Sequence, residues 1–199
     1  MKANGLEAKA GRKRKHRNIK TKAEFESRNL VIAKFEIKKA NKLWCADITE
    51  MEIYRRKIYI SGIIDVGSRR LVGWSIATHQ RQEIVQNAIE MAYYRCKPKA
   101  GIVFHSDRGC QYTANKTKAM LDKYKMQSSM SRPGKPCDNQ PIETLWKTLK
   151  QELVDISKMK FGEAKLEVVK YIEMYYNSER LHSSLGYRTP NEVWKERLE

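Results

Sequence analysis

Leu43-Trp-Cys-Ala-Asp47-Ile-Thr49, then Arg56-Lys-Ile-Tyr-Ile-Ser-Gly-Ile-Ile-Asp65-Val66, then Arg70-Leu-Val-Gly-Trp74-Ser-Ile-Ala77 are three apolar, β-branched runs, and their reading decides the fold. Each has strand length and composition, and Gly67-Ser68 supplies a turn between the last two. Short connections between successive strands predict an antiparallel meander. Downstream the period changes. Ile84, Val85, Ala88, Ile89 and Ala92 recur at helical spacing, so residues 81–96 are expected to be a helix that Pro98 stops. Gly101-Ile-Val-Phe104 reads as a fourth strand, 113–125 as a second helix and 126–130 as a weak fifth strand. Two prolines and a glycine make 131–140 a loop. The spacing of Ile142, Leu145, Trp146, Leu149 and Leu153 predicts an amphipathic helix over 141–154, with Pro141 in its first turn and Asp138 or Asn139 as its cap. A helix over 161–177 and a short one after Pro190 complete the pattern, which contains no internal repeat. Strands and helices in this order predict a mixed α/β domain, a sheet with helices on both faces.

The chain of 199 residues carries a net charge of +17. Its apolar content of 41% excludes a wholly disordered chain. No apolar run reaches the ~18 residues of a membrane span, and no apolar segment follows the basic N-terminus as in a secretory signal. A polyanionic partner and a cytoplasmic location are therefore expected, with no membrane role. The charge is uneven. Residues 1–42 hold fourteen Lys and Arg against four acids, and the densest run includes Arg12, Lys13, Arg14, Lys15 and Arg17. Few apolar residues accompany it, so residues 1–40 are expected to be a basic arm able to neutralise phosphates. The four cysteines, at 45, 96, 110 and 137, have no CxxC spacing, so a structural zinc site is not expected.

In a basic protein the informative residues are acids set among apolar ones. Asp47 shares one face of its strand with Leu43, Cys45 and Thr49, where a carboxylate needs a partner, solvent or a metal. Asp107 follows the fourth strand, at the carboxyl end where open α/β sheets place their sites. Glu143 lies in the first turn of the 141–154 helix. Each has a plainer reading: Asp47 paired with a buried Arg, Asp107 in a turn before Gly109, Glu143 favouring the helix dipole. Asp65 could be offered on similar grounds, and spacing alone does not choose. Three carboxylates at one sheet edge would suit hard divalent cations, and two such ions about 4 Å apart can clamp an in-line phosphoryl displacement.

Five stretches carry a resemblance. They are Trp44 to Thr49, Asp65 to Trp74, His105-Ser-Asp107-Arg-Gly-Cys-Gln-Tyr112, Ser129 to Gly134, and Asp138-Asn-Gln-Pro-Ile-Glu143-Thr-Leu-Trp-Lys-Thr-Leu-Lys150. The tail Tyr176-Asn-Ser-Glu-Arg180-Leu-His182-Ser-Ser-Leu-Gly-Tyr187-Arg-Thr-Pro190 adds a sixth. In order and spacing, including the 35 residues between Asp107 and Glu143, the chain resembles the integrase catalytic core of DDE-type insertion-sequence transposases, relatives of retroviral integrases. Gln140 and Cys110 stand where that family often has Ala and Ser.

The resemblance implies an RNase H-like fold, a five-stranded mixed sheet, with an arm over 1–40, a catalytic core over 41–177 and a transposase tail over 178–199. It implies Asp47, Asp107 and Glu143 as catalytic and metal-binding residues, with Mg²⁺ or Mn²⁺, two ions, as cofactor. The implied reactions are hydrolysis of a DNA phosphodiester and strand transfer to target DNA. Lys150, seven residues after Glu143 and so on the same helix face, is expected to hold a phosphate. Lys147, Arg132, Lys135, Arg180 and His182 are further candidates for DNA contact. The implied partners are transposon-end and target DNA and further copies of the chain on that DNA. Because no helix-turn-helix is read in residues 1–40, a separate DNA-binding subunit or upstream reading-frame product is also expected. A DNA-binding remnant without turnover is the alternative reading.

Overall fold

The computed structural model describes residues 29–31 and 37–198. The cationic run from Arg12 to Arg17, and most of the expected arm, lie outside the described residues.

The meander forms as expected. β1 (Leu43–Ile53) pairs antiparallel with β2 (Arg56–Asp65), and β2 pairs antiparallel with β3 (Leu71–Ala77). β1 runs four residues beyond Thr49 because its partner continues to Arg56, opposite Ile53. β4 (Val103–Ser106) lies parallel to β1 on its other side, and β5 (Gln127–Met130) lies parallel to β4. The order across the sheet is β3-β2-β1-β4-β5.

Two apolar layers cover the sheet. Leu43 and Cys45 of β1 face one layer with Ile58, Ile60 and Ile64 of β2. α4 (Gln140–Glu152) and α5 (Phe161–Lys170) supply Ile142, Leu145, Trp146, Leu149, Ala164 and Val168 to it. Trp44 and Ala46 face the opposite layer, with α1 (Gln82–Cys96) supplying Ile84, Val85, Ala88, Ile89 and Ala92. Period-two alternation thus sends neighbouring residues of β1 into different cores, which puts helices on both faces. α1 lies close against β3, where a Cβ built on Gly73 would stand 2.3 Å from the Ala88 carbonyl oxygen.

Several boundaries differ from the sequence reading, each for a physical reason. The fourth strand spans 103–106 rather than 101–104, because Gly101 adopts a positive φ of 89° and its N–H turns to Lys125. The 113–125 helix is two pieces, α2 (Cys110–Thr113) and α3 (Asn115–Lys123), since Ala114 is extended at φ −59° and ψ 139°. Residues 136–139 of the loop coil into a single 3₁₀ turn before α4. Neither expected side chain caps α4: Asp138 is taken by Arg132, and Asn139 reaches across to β1. After α5 the chain continues as a π-helical turn over Tyr171–Tyr176. α6 (Pro190–Arg197) starts in a capping box of Thr189 and Glu192. It returns to the body: Trp194 is 6% exposed, and the Arg197 carbonyl accepts from Ala40 N–H. Among the described residues no helix is long and apolar enough to cross a membrane.

Candidate active site

Register brings the first two acids level. Ser106 pairs with Ala46 across the parallel β1/β4 ladder, so Asp107, the next residue, leaves the sheet beside Asp47. The two-residue shift of β4 matters here. Asp107 follows the strand directly rather than after two intervening residues. Its Oδ1 accepts the Gly109 N–H at 2.9 Å, the turn contact anticipated for Asp before Gly.

Glu143 reaches the same place through α4. Asn139, at the N-cap position, donates from Nδ2 to the Ala46 carbonyl at 3.0 Å. That bond fixes the start of α4 against the strand residue preceding Asp47. Two turns later Trp146 donates from Nε1 to Asp47 Oδ2 at 3.0 Å. The indole fits because the residue opposite Asp47 on β2 is Gly62: a Cβ there would lie 2.5 Å from Trp146 Cη2. Gly62 was not singled out from the sequence, and Trp146 and Asn139 were read there only as a core residue and a candidate helix cap, not as supports of the site. Only cross-strand register and helix docking reveal them.

Asp47, Asp107 and Glu143 line one cleft of about 480 Å³, with Asn139 and the 131–135 loop forming its wall. No Arg pairs with Asp47 among the described residues. Its carboxyl is pushed up to about 7, first by burial and then by the charges of Glu143 and Asp107, against the opposing bonds from Ile48 N–H and Trp146. Among the described residues no three His, Cys or acidic side chains are gathered closely enough to enclose a metal ion as they stand. Yet the acids are close enough to repel, and their oxygens are the donor set of a hard divalent cation. A cation bound there would relieve that repulsion, so the residues fit the implied metal.

The wall of the cleft is built on polar clamps. Buried His105 lies between Ser129 Oγ at 2.9 Å and Ser131 Oγ at 3.1 Å, and burial lowers its pKa to about 4. A neutral imidazole here ties β4 to β5 and to Ser131 just beyond it. Arg132 grips Asp138 through Nε at 3.0 Å and Nη2 at 2.9 Å, and Asn29 Nδ2 donates to the same carboxylate. The guanidinium holds Asp138 well below the usual carboxylate range.

The other expected DNA contacts divide. Arg132 and Lys135 line the acid cleft, although Arg132 is also spent on Asp138. Lys147 and Lys150 are exposed on α4, one and two turns beyond Glu143. Arg180 and His182 line a different cleft on the far side of α4. Arg180 donates from Nη2 to Glu152 at 2.7 Å, and His182 packs edge-on to Tyr176. Asp65, the competing acid, is wholly buried and occupied by Asn41 N–H, Ser68 N–H and Ser68 Oγ, so it organises the β2–β3 turn.

The Integrase core domain family matches residues 38–136, and a second Integrase core domain family matches 124–190. The chain is 38% identical over 193 residues to the transposase for insertion sequence element IS904 of Lactococcus lactis, covering 96% of this chain and 76% of that protein. The chain belongs to the integrase-core family of insertion-sequence transposases. Transposase InsF for insertion sequence IS3A of Escherichia coli is 30% identical over the whole chain, which spans 69% of InsF. Among solved structures, the HTLV-2 integrase catalytic core domain in complex with magnesium matches with a TM-score of 0.58 at 14% identity, over 78% of this chain and 97% of that one. The BIV integrase catalytic core matches with a TM-score of 0.56 at 18% identity, over 78% and 95%. The fold is thus the RNase H-like fold of integrase cores, as the motifs implied.

Proposed function

We propose that this transposase core cleaves DNA phosphodiesters and transfers the freed strand, using the cleft lined by Asp47, Asp107 and Glu143. The observation that carries this reading is convergence. Three acids from β1, the end of β4 and α4 line one cleft in a chain of net charge +17. Carboxylates set there oppose DNA binding, and divalent cations between them and the phosphate resolve the conflict. Asp47, Asp107 and Glu143 would hold these ions through their oxygens. When bound, Mg²⁺ or Mn²⁺ activates the attacking oxygen and stabilises charge on the leaving one.

The chain's own residues do the positioning. Trp146 orients one oxygen of Asp47 and leaves the other for the cleft. Asn139 sets the distance between β1 and the helix that carries Glu143. Lys135, Lys147 and Lys150, exposed around the acids, hold the flanking phosphates as point charges. Joining two DNA ends requires at least two centres, so the chain acts as an oligomer on DNA. In support, similar proteins were solved as an intasome and as dimeric and trimeric cores.

Asp107→Asn tests the reading. Incubated with a labelled duplex and Mn²⁺, the parent chain is expected to nick or join DNA. The variant should lose about 10³-fold in rate, since a metal contact is worth several kcal/mol of transition-state stabilisation. Duplex binding in EDTA should survive. Equal rates in both proteins would remove Asp107 from the centre.

A further inference from the structure

α4 separates the acid cleft from a second cleft of about 380 Å³. Glu143 lines the first and Thr144 the second, because consecutive helical residues point about 100° apart. Thr148 continues one wall of the second cleft. Arg180, His182, Ser183 and Ser184 of the C-terminal segment form another, and Arg69 enters from the turn after β2. Among the described residues no carboxylate lines it.

The charges in this cleft do not balance. Arg180 is matched by Glu152 through bonds of 2.7–3.0 Å. Arg69 has no ion pair among the described residues, and the oxygens of Asp65, whose charge it faces, are taken by Asn41 and Ser68. His182 is held neutral at ordinary pH: burial, Arg180 and Arg69 lower its pKa to about 4, with Glu152 opposing. A half-buried guanidinium without an anion is costly, and an anion would offset that cost. Arg69 is also firmly placed. Its backbone sits at φ 60°, its N–H bonds the Asp65 carbonyl, and its own carbonyl accepts from Tyr176 Oη. Guanidinium plus serine and threonine hydroxyls is the donor set proteins present to phosphate oxygens.

We propose that the second cleft binds a backbone phosphate of the DNA strand held at the acid cleft, with Arg69 as its principal ligand. This rests on the DNA reading above. It makes α4 a rail gripped from both sides, with chemistry on the Glu143 face and an anchoring phosphate on the Thr144 face.

The test uses the full chain in EDTA, so that DNA is bound and not cut. Binding of a labelled duplex is measured across KCl concentrations for the parent, Arg69→Asn and Arg69→Lys. Asn tolerates the left-handed backbone at this position, and unfolding midpoints establish that both variants fold. Arg69→Asn is expected to lose affinity about three- to tenfold at low salt and to flatten the salt slope by about one. Arg69→Lys should keep the slope. By NMR, a duplex oligonucleotide should raise the titration midpoint of His182 in the parent, and millimolar inorganic phosphate should leave it in place.

An unchanged slope and affinity in folded Arg69→Asn would overturn the proposal. A His182 response to inorganic phosphate with an unchanged slope would make the cleft a free-anion pocket and overturn its assignment to DNA. A parent that binds no duplex at any salt would sink the DNA reading itself, and the proposal with it, irrespective of Arg69. If Arg69→Asn unfolds, Arg69→Gln takes its place: a flattened slope with lost affinity supports the proposal, and an unchanged slope and affinity overturn it.

Discussion

Replacing Asp47 with Asn is expected to abolish metal-dependent DNA cleavage and to raise the unfolding temperature of the metal-free protein above pH 7. Both effects follow from one placement. Asp47 lies on the inward face of β1, beside Glu143 and Asp107, and its carboxyl is pushed up to about 7 from an ordinary value near 4. The folded state therefore binds the proton more tightly than the unfolded chain. Between about pH 4 and 7 the folded state holds more protons, so this group's contribution to stability falls as pH rises. Three pH units correspond to about 4 kcal/mol, reduced to about 1–2 kcal/mol where an open cleft screens the charges. Asn cannot ionise and still accepts from Trp146. The difference between variant and parent should be near zero at pH 4 and complete by pH 8, read from unfolding midpoints. Mn²⁺ should stabilise the parent and leave Asp47→Asn unmoved. A variant that unfolds earlier than the parent at pH 8 would refute the strained-carboxylate account.

The second large effect falls on a residue without polar chemistry. Gly62→Ala is expected to destabilise the core by about 1–3 kcal/mol and to impair cleavage. Its Cβ would meet Trp146 Cη2 at 2.5 Å, Trp146 Cζ2 at 2.8 Å and Leu71 Cδ1 at 3.2 Å. The indole is buried, and its ring cannot turn away without breaking the bond to Asp47. Urea unfolding reports the packing loss, and Mn²⁺-dependent nicking reports the displaced carboxylate. Trp146→Phe helps to separate them: it keeps an aromatic ring in the core and removes the donor along with part of the indole's volume, so it should lower activity more than stability. An unchanged denaturation midpoint in Gly62→Ala would show that Trp146 has another place to go.

Residue patterns were enough for the strand meander, the α1 stripe and the α4 stripe, because each is a local period of apolar residues. Ile142, Leu145, Trp146 and Leu149 all proved buried. Cap chemistry was not legible in the same way. Asp138 and Asn139 are good helix caps by type, but long-range partners, Arg132 and Ala46, took both side chains. The break at Ala114 and the left-handed Gly101 have only weak local signals, so the strand and helix around them shifted.

The candidate acids divide along the same line. Local reading offered Asp65 alongside Asp47, Asp107 and Glu143, since a charge among apolar residues looks alike wherever it stands. The motifs and their spacing chose three of the four. Tertiary structure supplied the reason. Asp65 is consumed by its own turn, whereas the other three arrive at one cleft from segments about 60 and 36 positions apart. By itself the sequence determined the family, the sheet with helices on both faces, and the acids to examine, because motif and period are properties of neighbours along the chain. Only the tertiary structure decided that Gly62 makes room for Trp146, that Asn139 ties α4 to β1, and that Arg69 faces a cleft with no acid among the described residues to match it. Those are contacts between residues distant in the chain, fixed by strand register and helix docking, which no local pattern encodes.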